Sequence, residues 1–544
     1  MSKFDEIQAL LNKVSPVPVD LPRLYFLGDT GAGKTTIIRK VLGTEQSKFP
    51  TTRQTRTTVA PTEYVIHKGP VYDVTVVFKP LTEIEGYVDE ILRDAITRHQ
   101  KDKQDDRISK NLRQTSDQRF RLYYLLSSAL TQEIVDRIIS LAPLVETKVQ
   151  QYQIDFPEDQ EELGIFVEFA LNELGDSYTA IRAAILEEIS ARVRATCAGH
   201  QLDSTTPYYK FEQTNKDVFV NQCKAILSSE ANSISPLIEY ARIRGNLVAE
   251  WLPDGTEAVI VDGEGIGHDT KEAGQLSSRH YDHFYCSDAI LLIEESKKPF
   301  VAGGKAALRS IFERGYRQKL LVLFTKLDEV EPYDIDGPTI QDQIGEVNDG
   351  LENVLASLKE EGQEIDLTEN SIFYIGGLKE DVIDDRAMEQ ISAILVEARK
   401  LSTFTLSFVK PEYDFEMLSG YLVELTKQFN ELYRNILDSQ HWKTIQAFNR
   451  RMDMGIDGFR MFTPITDFEE KINDEIKAFI SNPIRWEEEV TDKLKEQSLD
   501  KIRREFNKLI LEFARHEIIA APRDAWRTAY LYSGRARRIG VEQI

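Results

Sequence analysis

Residues 28 to 35 read Gly28-Asp29-Thr30-Gly31-Ala32-Gly33-Lys34-Thr35, and this octet decides how the chain folds. An apolar run, Leu24-Tyr25-Phe26-Leu27, precedes it, and Thr36-Ile37-Ile38-Arg39-Lys40-Val41-Leu42 follows with helical spacing. Strand, glycine-rich loop and helix is the context in which G-x-x-x-x-G-K-[ST] cradles phosphate. The glycines let the backbone curl until successive N–H groups point inward, and the following helix adds the positive end of its dipole. Lys34 then reaches the β- and γ-phosphates, the Thr35 hydroxyl becomes a Mg2+ ligand, and Thr36 completes the binding loop. A bound nucleoside triphosphate is the expectation.

Three later segments decide which nucleotide. Val259-Ile260-Val261-Asp262-Gly263-Glu264-Gly265 is an apolar strand ending in D-x-x-G. There Asp262 can hold Mg2+ through water, and Gly265 lets a backbone N–H approach the γ-phosphate. Leu320-Leu321-Val322-Leu323-Phe324 runs into Thr325-Lys326-Leu327-Asp328, and Ser371-Ile372-Phe373-Tyr374-Ile375 runs into Gly376-Gly377-Leu378. Any one of these is an ordinary strand-to-loop junction. Four in this order, each after an apolar strand, resemble the TRAFAC-type GTPases.

The resemblance implies a division of labour. Asp328 accepts hydrogen bonds from the guanine N1–H and amine, the Lys326 stem lies along the base, and Gly376-Gly377 approach it through their backbone. Adenine offers no such donor pair, so the unpaired carboxylate rejects ATP. The implied ligands are GTP or GDP with Mg2+, and the implied activity is GTP hydrolysis. An ATP-driven phosphate-loop enzyme is the alternative that Asp328 argues against. A switch threonine on Mg2+ has one source, Pro50-Thr51-Thr52-Arg53-Gln54-Thr55-Arg56-Thr57-Thr58-Val59, where Thr57 and Thr58 both qualify.

Composition bounds the rest. Across 544 residues, 67 Lys and Arg stand against 90 Asp and Glu, a net charge of −23, which argues against general affinity for nucleic acid or anionic membrane. Cys197, Cys223 and Cys286 show no metal-ligand spacing and suit reduced thiols in a cytoplasmic protein. The first residues lack the apolar stretch of a signal peptide, and the longest apolar runs are strand-sized.

The expected fold class is α/β: a GTPase domain with a central, mostly parallel sheet, a large inserted helical module and an all-α C-terminal domain. The patterns divide the chain into an N-terminal helix (1–20), a first part of the nucleotide domain with phosphate loop and switch (21–80), a helical insertion (81–246), a second part of the nucleotide domain (247–401) and a C-terminal helical domain (402–544). Leu247–Trp251 reads as a strand joined through Pro253-Asp254-Gly255 in a hairpin to the strand ending at Asp262.

This organisation looks like the large GTPases of the dynamin superfamily, which implies GTP-dependent dimerisation or oligomerisation, with a protein partner a further possibility for the helical domains. The chain departs from that pattern in its phosphate loop, where Thr30-Gly31 stands in place of Gln-Ser, and in D-G-E-G for D-L-P-G; no lipid-binding module is recognisable. Ras-like enzymes orient the attacking water with a Gln directly after the D-x-x-G glycine, but Ile266 stands here and cannot. His268 is the nearest substitute, and Arg53 and Arg56 are the candidate internal arginine fingers. Slow turnover, raised by self-association, is the first reading; a nucleotide-gated scaffold with little turnover is the rival. The C-terminal stretch from Trp526 to Arg538 is basic and aromatic, and Trp526, Tyr530 and Leu531 are expected to pack its helix.

Overall fold

Strand β1 (Arg23–Gly28) is apolar on both faces because both are covered, and that sets the layering of the whole chain. Leu24 and Phe26 enter one core with Ile37, Ile38 and Val41 of the helix Lys34–Leu42 and, beyond it, Ile84, Val88 and Ile185 of inserted helices. Tyr25 and Leu27 enter the other core with Phe284, Leu308 and Ile311 and, beyond them, Ile465, Ile472 and Ile476 of the C-terminal helices. At about 1.5–3 kcal/mol for each fully buried large apolar side chain, these two cores supply most of what orders the sheet.

The computed structural model describes residues 2–531 except 45–48, 51–59, 114–119, 156–162, 203–205, 229–232, 267–275, 301, 334, 336, 362–364, 366, 381, 404–406, 441, 459–461 and 488–489. Among these residues the sheet has nine strands. After β1 come β2 (Thr62–Ile66), β3 (Tyr72–Phe78), β4 (Tyr208–Gln213), β5 (Ile238–Gly245), β6 (Ala258–Asp262), β7 (Ala289–Glu295), β8 (Leu320–Thr325) and β9 (Ile372–Tyr374). Their order is β4-β3-β5-β2-β6-β1-β7-β8-β9. The pairs β6–β1, β1–β7, β7–β8, β8–β9 and β2–β5 are parallel; β2–β6, β3–β5 and β3–β4 are antiparallel. The fold is therefore α/β with a mostly parallel sheet and extensive helical regions.

Two expectations are corrected. The segment 81–246 is not helical throughout: helices run from Leu81–Asp102 to Gly175–Thr196, after which β4 and β5 return to the sheet. Leu247–Trp251 is not a strand and makes no hairpin with β6, because both edges of β6 are already taken by β1 and β2. That apolar run instead seals the end of the helix Lys34–Leu42, with the Ala249 N–H donating to the Val41 carbonyl at 2.9 Å. Gly43, at φ 60, lies so near Ala249 that a β-carbon would sit 2.7 Å from its Cα.

At the C-terminal end, Phe415–Asp438, Trp442–Asp453, Pro464–Ser481, Asp492–Ala514 and Arg523–Leu531 are helices, and the expectation of an all-α region is corrected, among the described residues, by one strand pair. A short antiparallel ribbon pairs β10 (Pro411–Glu412) with β11 (Arg485–Trp486). Trp526 is buried, donates from Nε1 to the Ile518 carbonyl at 2.6 Å and meets Phe448 edge-on; Tyr530 is half-buried. Residues 532–538 of the basic stretch lie outside the described residues.

The sheet also carries buried charge. Glu63 on β2 is fully buried between Arg23 on β1 and Arg242 on β5, with Arg242 Nε donating to Glu63 Oε2 at 2.5 Å. Arg242 spends its remaining donors on the N-terminal helix Lys3–Val14 and its exit: Asn12 Oδ1, Gln8 Oε1 and the Ser15 carbonyl. Burial disfavours the Glu63 carboxylate, but the two guanidiniums outweigh it and hold the group below its ordinary value of 4.5. Its stabilising contribution is thus present above about pH 4.5 and is lost as pH falls through the lowered value. Glu63→Gln strands two buried cations and should cost about 3–5 kcal/mol in urea unfolding near pH 7. The gap between variant and parent should narrow in acid; a gap that holds constant down to about pH 2 would contradict the assignment.

Candidate functional site

The phosphate loop leaves β1 at a point only glycine can occupy. Gly28 has φ 153, and a β-carbon there would overlap the carbonyl oxygen of Ile293 on β7. Gly31 (φ 91) and Gly33 (φ 99) then turn the chain into the helix Lys34–Leu42, with Gly33 as its N-cap in the left-handed region. Thr30 and Gly31 are exposed at the rim, Asp29 and Gly33 are half-buried, and Ala32, Lys34 and Thr35 are buried; Thr36 is half-buried in the first helical turn.

Lys34 folds back across this loop. Its Nζ donates to the Gly28 carbonyl at 2.5 Å and to the Asp29 carbonyl at 2.9 Å. Burial lowers the Lys34 ammonium from its ordinary value, opposed by Asp262, Asp29 and Glu294. Thr35 Oγ1 donates to Asp262 Oδ2 at 3.1 Å, so the loop hydroxyl and the strand-end carboxylate stand side by side. Two adjacent hard oxygens suit Mg2+, which takes few protein ligands and completes its octahedron with phosphate and water. When bound, that ion would neutralise charge on the phosphates; Thr35 and Asp262 are the described residues that would hold it.

The chain beyond Asp262 lies along the loop. Ile266 N–H donates to the Gly28 carbonyl at 3.2 Å, and Ile266 pairs with Asp29 in an isolated parallel bridge. The Ile266 side chain is buried in the second core, a β-carbon's width from Gly303. Position 266 is therefore a packing position. Glu264 turns away toward the helix Ser278–Cys286, accepting from Arg279 Nη1 at 3.1 Å. Gly265 sits between these two residues. Arg53, Arg56, Thr57, Thr58 and His268 all lie outside the described residues.

The loop after β8 closes the site from the other side of β7. Thr325 Oγ1 donates to the Ala32 carbonyl at 2.8 Å and to the Glu294 carbonyl at 3.1 Å, tying this loop to the phosphate loop. Lys326 takes φ 58, a strained value for a residue with a side chain, and its ammonium pairs with Glu295. Asp328 is exposed, and its Oδ1 accepts from the Gly377 N–H at 2.8 Å. Gly376 packs so close that a β-carbon would lie 2.9 Å from Asp328 Oδ1. The motifs after β8 and β9 therefore meet, on the same side of the sheet as the phosphate loop. Sequence reasoning missed Glu294 and Glu295; the acidic pair closing an apolar run was the available signal.

Compared with models of known protein families the sequence matches none, and no curated protein matches it. Among the solved structures it is similar to are two chains, each described as an oligomerised bacterial dynamin pair that provides a mechanism for long-range sensing and tethering of membranes. The first is 13% identical with a TM-score of 0.32, the second 12% identical with a TM-score of 0.29; each match covers 99% of this chain and 73% of the other.

Thr325→Val removes the donor from two buried carbonyls while keeping the side chain's shape. It should cost about 1–3 kcal/mol in chemical unfolding, whereas Thr325→Ser, which keeps the hydroxyl, should cost less than half of that. Equal losses for both variants would mean the hydroxyl's bond to Ala32 contributes nothing.

Proposed function

We propose that this chain binds guanine nucleotide with Mg2+ and hydrolyses GTP to GDP and phosphate. The observation that supports this most directly is the loop after β8, which touches all the motifs involved: Thr325 donates to Ala32 in the phosphate loop, and Asp328, three residues on, accepts from the Gly377 N–H. Lys34 supplies the cation for the phosphates, and Thr35 with Asp262 the metal ligands. Either Thr57 or Thr58 is the further Mg2+ ligand in this reading. With Ile266 committed to the core, water must be oriented by another group, for which His268 is the candidate; Arg53 and Arg56 are candidates to offset charge on the transferring phosphoryl group.

Slow turnover in the isolated chain follows, with acceleration through self-association in a GTP-dependent dimer or oligomer. The buried Ile266 equally favours a nucleotide-gated scaffold with little turnover. Among the described residues no helix is long and apolar enough to cross a membrane.

Calorimetric titration with GTP, GDP and ATP tests the base assignment. Guanine nucleotides should bind at least about a hundred-fold more tightly than ATP, the scale of one unpaired polar group in a binding site, and Asp328→Asn should erase the difference. Comparable ATP and GTP affinities in the parent would remove the guanine reading. Lys34→Ala should lose most triphosphate affinity, and Thr35→Ala the Mg2+ dependence.

Turnover across a protein concentration series, with mass measured by light scattering, separates enzyme from scaffold. Rising specific activity and a GTP-analogue-induced dimer are expected, with His268→Ala or Arg56→Ala about ten-fold slower or more at nearly unchanged affinity. A flat, near-zero rate at every concentration would favour the scaffold.

A further inference from the structure

Glu294 follows Ile293 on β7, and Ile293 is paired with Gly28 at the head of the phosphate loop. The side chain is 5% exposed. Oε2 accepts the Phe300 N–H at 3.0 Å; Oε1 has no hydrogen-bond partner among the described residues and presses on Gly304, where no β-carbon would fit. Asp29 approaches the same place from the loop: its Oδ1, likewise without a hydrogen-bond partner among the described residues, would lie 2.8 Å from a β-carbon on Gly303. Two carboxyl groups thus converge on the first turn of the helix Ala302–Glu313.

The charges around Glu294 compensate it only in part. Lys34 is already held by the Gly28 and Asp29 carbonyls, Lys326 is paired with Glu295, and Lys305 is engaged with Ser357 and Glu361. Lys297 and Lys298 are exposed to solvent, while Asp29 and Glu295 add like charge. A buried carboxylate with one oxygen unsolvated and unbonded is costly, and the group escapes that cost by staying protonated. Burial foremost, and then Asp29 and Glu295, push the Glu294 carboxyl up to about 8 against the Phe300 N–H and Lys34, which both favour the charged form.

Resting on the nucleotide reading above, we propose that Glu294 is a positioning residue of the phosphate site, and that its neutral form is the one that admits a triphosphate. Its backbone carbonyl shares the Thr325 hydroxyl with Ala32, so any recoil of Glu294 is felt in the loop. An ionised Glu294 would add a negative charge beside Asp29 and draw Lys34 away from the phosphates. A bound triphosphate in turn disfavours that charge, so binding takes up a proton wherever Glu294 was ionised beforehand. Because the ordinary value is raised, the competent form dominates at neutral pH and is lost as pH rises through the raised value.

The test uses the full chain, a fluorescent GTP analogue and Mg2+ from about pH 6.5 to pH 9.5. Parent affinity should fall about ten-fold between pH 7 and 9, as linkage to one proton with a value of about 8 requires. Glu294→Gln, neutral at every pH, should keep the parent's neutral-pH affinity within about three-fold and show no such fall. A fall that persists in Glu294→Gln belongs to another group, Lys34 foremost, and overturns the proposal. Calorimetry of the parent near pH 8.5 in buffers of different ionisation enthalpy needs no variant: proton uptake is expected, and its absence overturns the coupling. Without nucleotide, the Gln variant should gain melting temperature on the parent as pH rises from about 5 toward 8; a pH-independent difference would mean a merely structural carboxyl. Absence of triphosphate binding by the parent near pH 7 would reject the nucleotide reading itself, whereas binding with identical pH profiles in both proteins rejects only the role of Glu294.

Discussion

The site is gathered on one carbonyl. The oxygen of Gly28 accepts the Lys34 ammonium from within the loop and the Ile266 N–H from the chain after β6. It can do so because Gly28 is wedged against β7 where a side chain would overlap Ile293. A backbone acceptor buried at a strand end must find donors, and here the donors are the groups that define the site. Moving Gly28 would release the lysine, the D-x-x-G segment and the register with β7 together. The same economy recurs at Thr325, one hydroxyl shared between Ala32 and Glu294.

Around that centre the helical regions are joined by paired charge. Arg314, in the turn directly after the helix Ala302–Glu313, meets Glu469 of the helix Pro464–Ser481 in a bidentate pair with both side chains almost wholly buried, and stacks over Tyr281 at 4.2 Å. Arg450 and Arg451, from the helix Trp442–Asp453, converge on Glu90 of the inserted helix Leu81–Asp102. Arg515 grips Asp282 of the helix that follows the D-x-x-G segment, with both bonds at 2.8 Å. Pairs of this kind add little net stability over well-packed apolar residues. Their geometry is demanding, though, so they select one docking of the C-terminal helices where apolar contact alone would tolerate several.

Much of this architecture was legible in the residues. β1, β6, β7 and β8 are continuous apolar runs because parallel strands are covered on both faces, and the loop glycines announce the turns they permit. Partner choice was not legible. Leu247–Trp251 has the composition of a strand, yet β6 has no vacant edge for it. β2 and β3 are consecutive strands joined through a turn at Lys68-Gly69-Pro70, yet β5, far along the chain, lies between them. Sequence patterns report which face is buried, whereas the neighbour on the sheet is fixed by distant segments competing for the same edge. At the site, Lys34, Thr35, Asp262 and Asp328 were marked by motif. Glu294 was not, since a Glu after an apolar run reads as a strand reaching solvent until the helix Ala302–Glu313 is seen to cover it.

The inserted helices leave and re-enter the sheet at neighbouring points. Val77 on β3 is paired with Tyr208 on β4, and the Phe78 N–H donates to the Pro207 carbonyl at 2.9 Å. Topologically the module is the loop of a β-hairpin, grown until its helices cover one face of the sheet and share a core with it. Such an excursion costs little in loop closure, because that cost rises only with the logarithm of length. The module is therefore a cassette: a two-residue turn could carry β3 into β4 without disturbing any strand neighbour in the sheet. What would need redesign is the apolar face that Ile84, Val88 and Ile185 now cover.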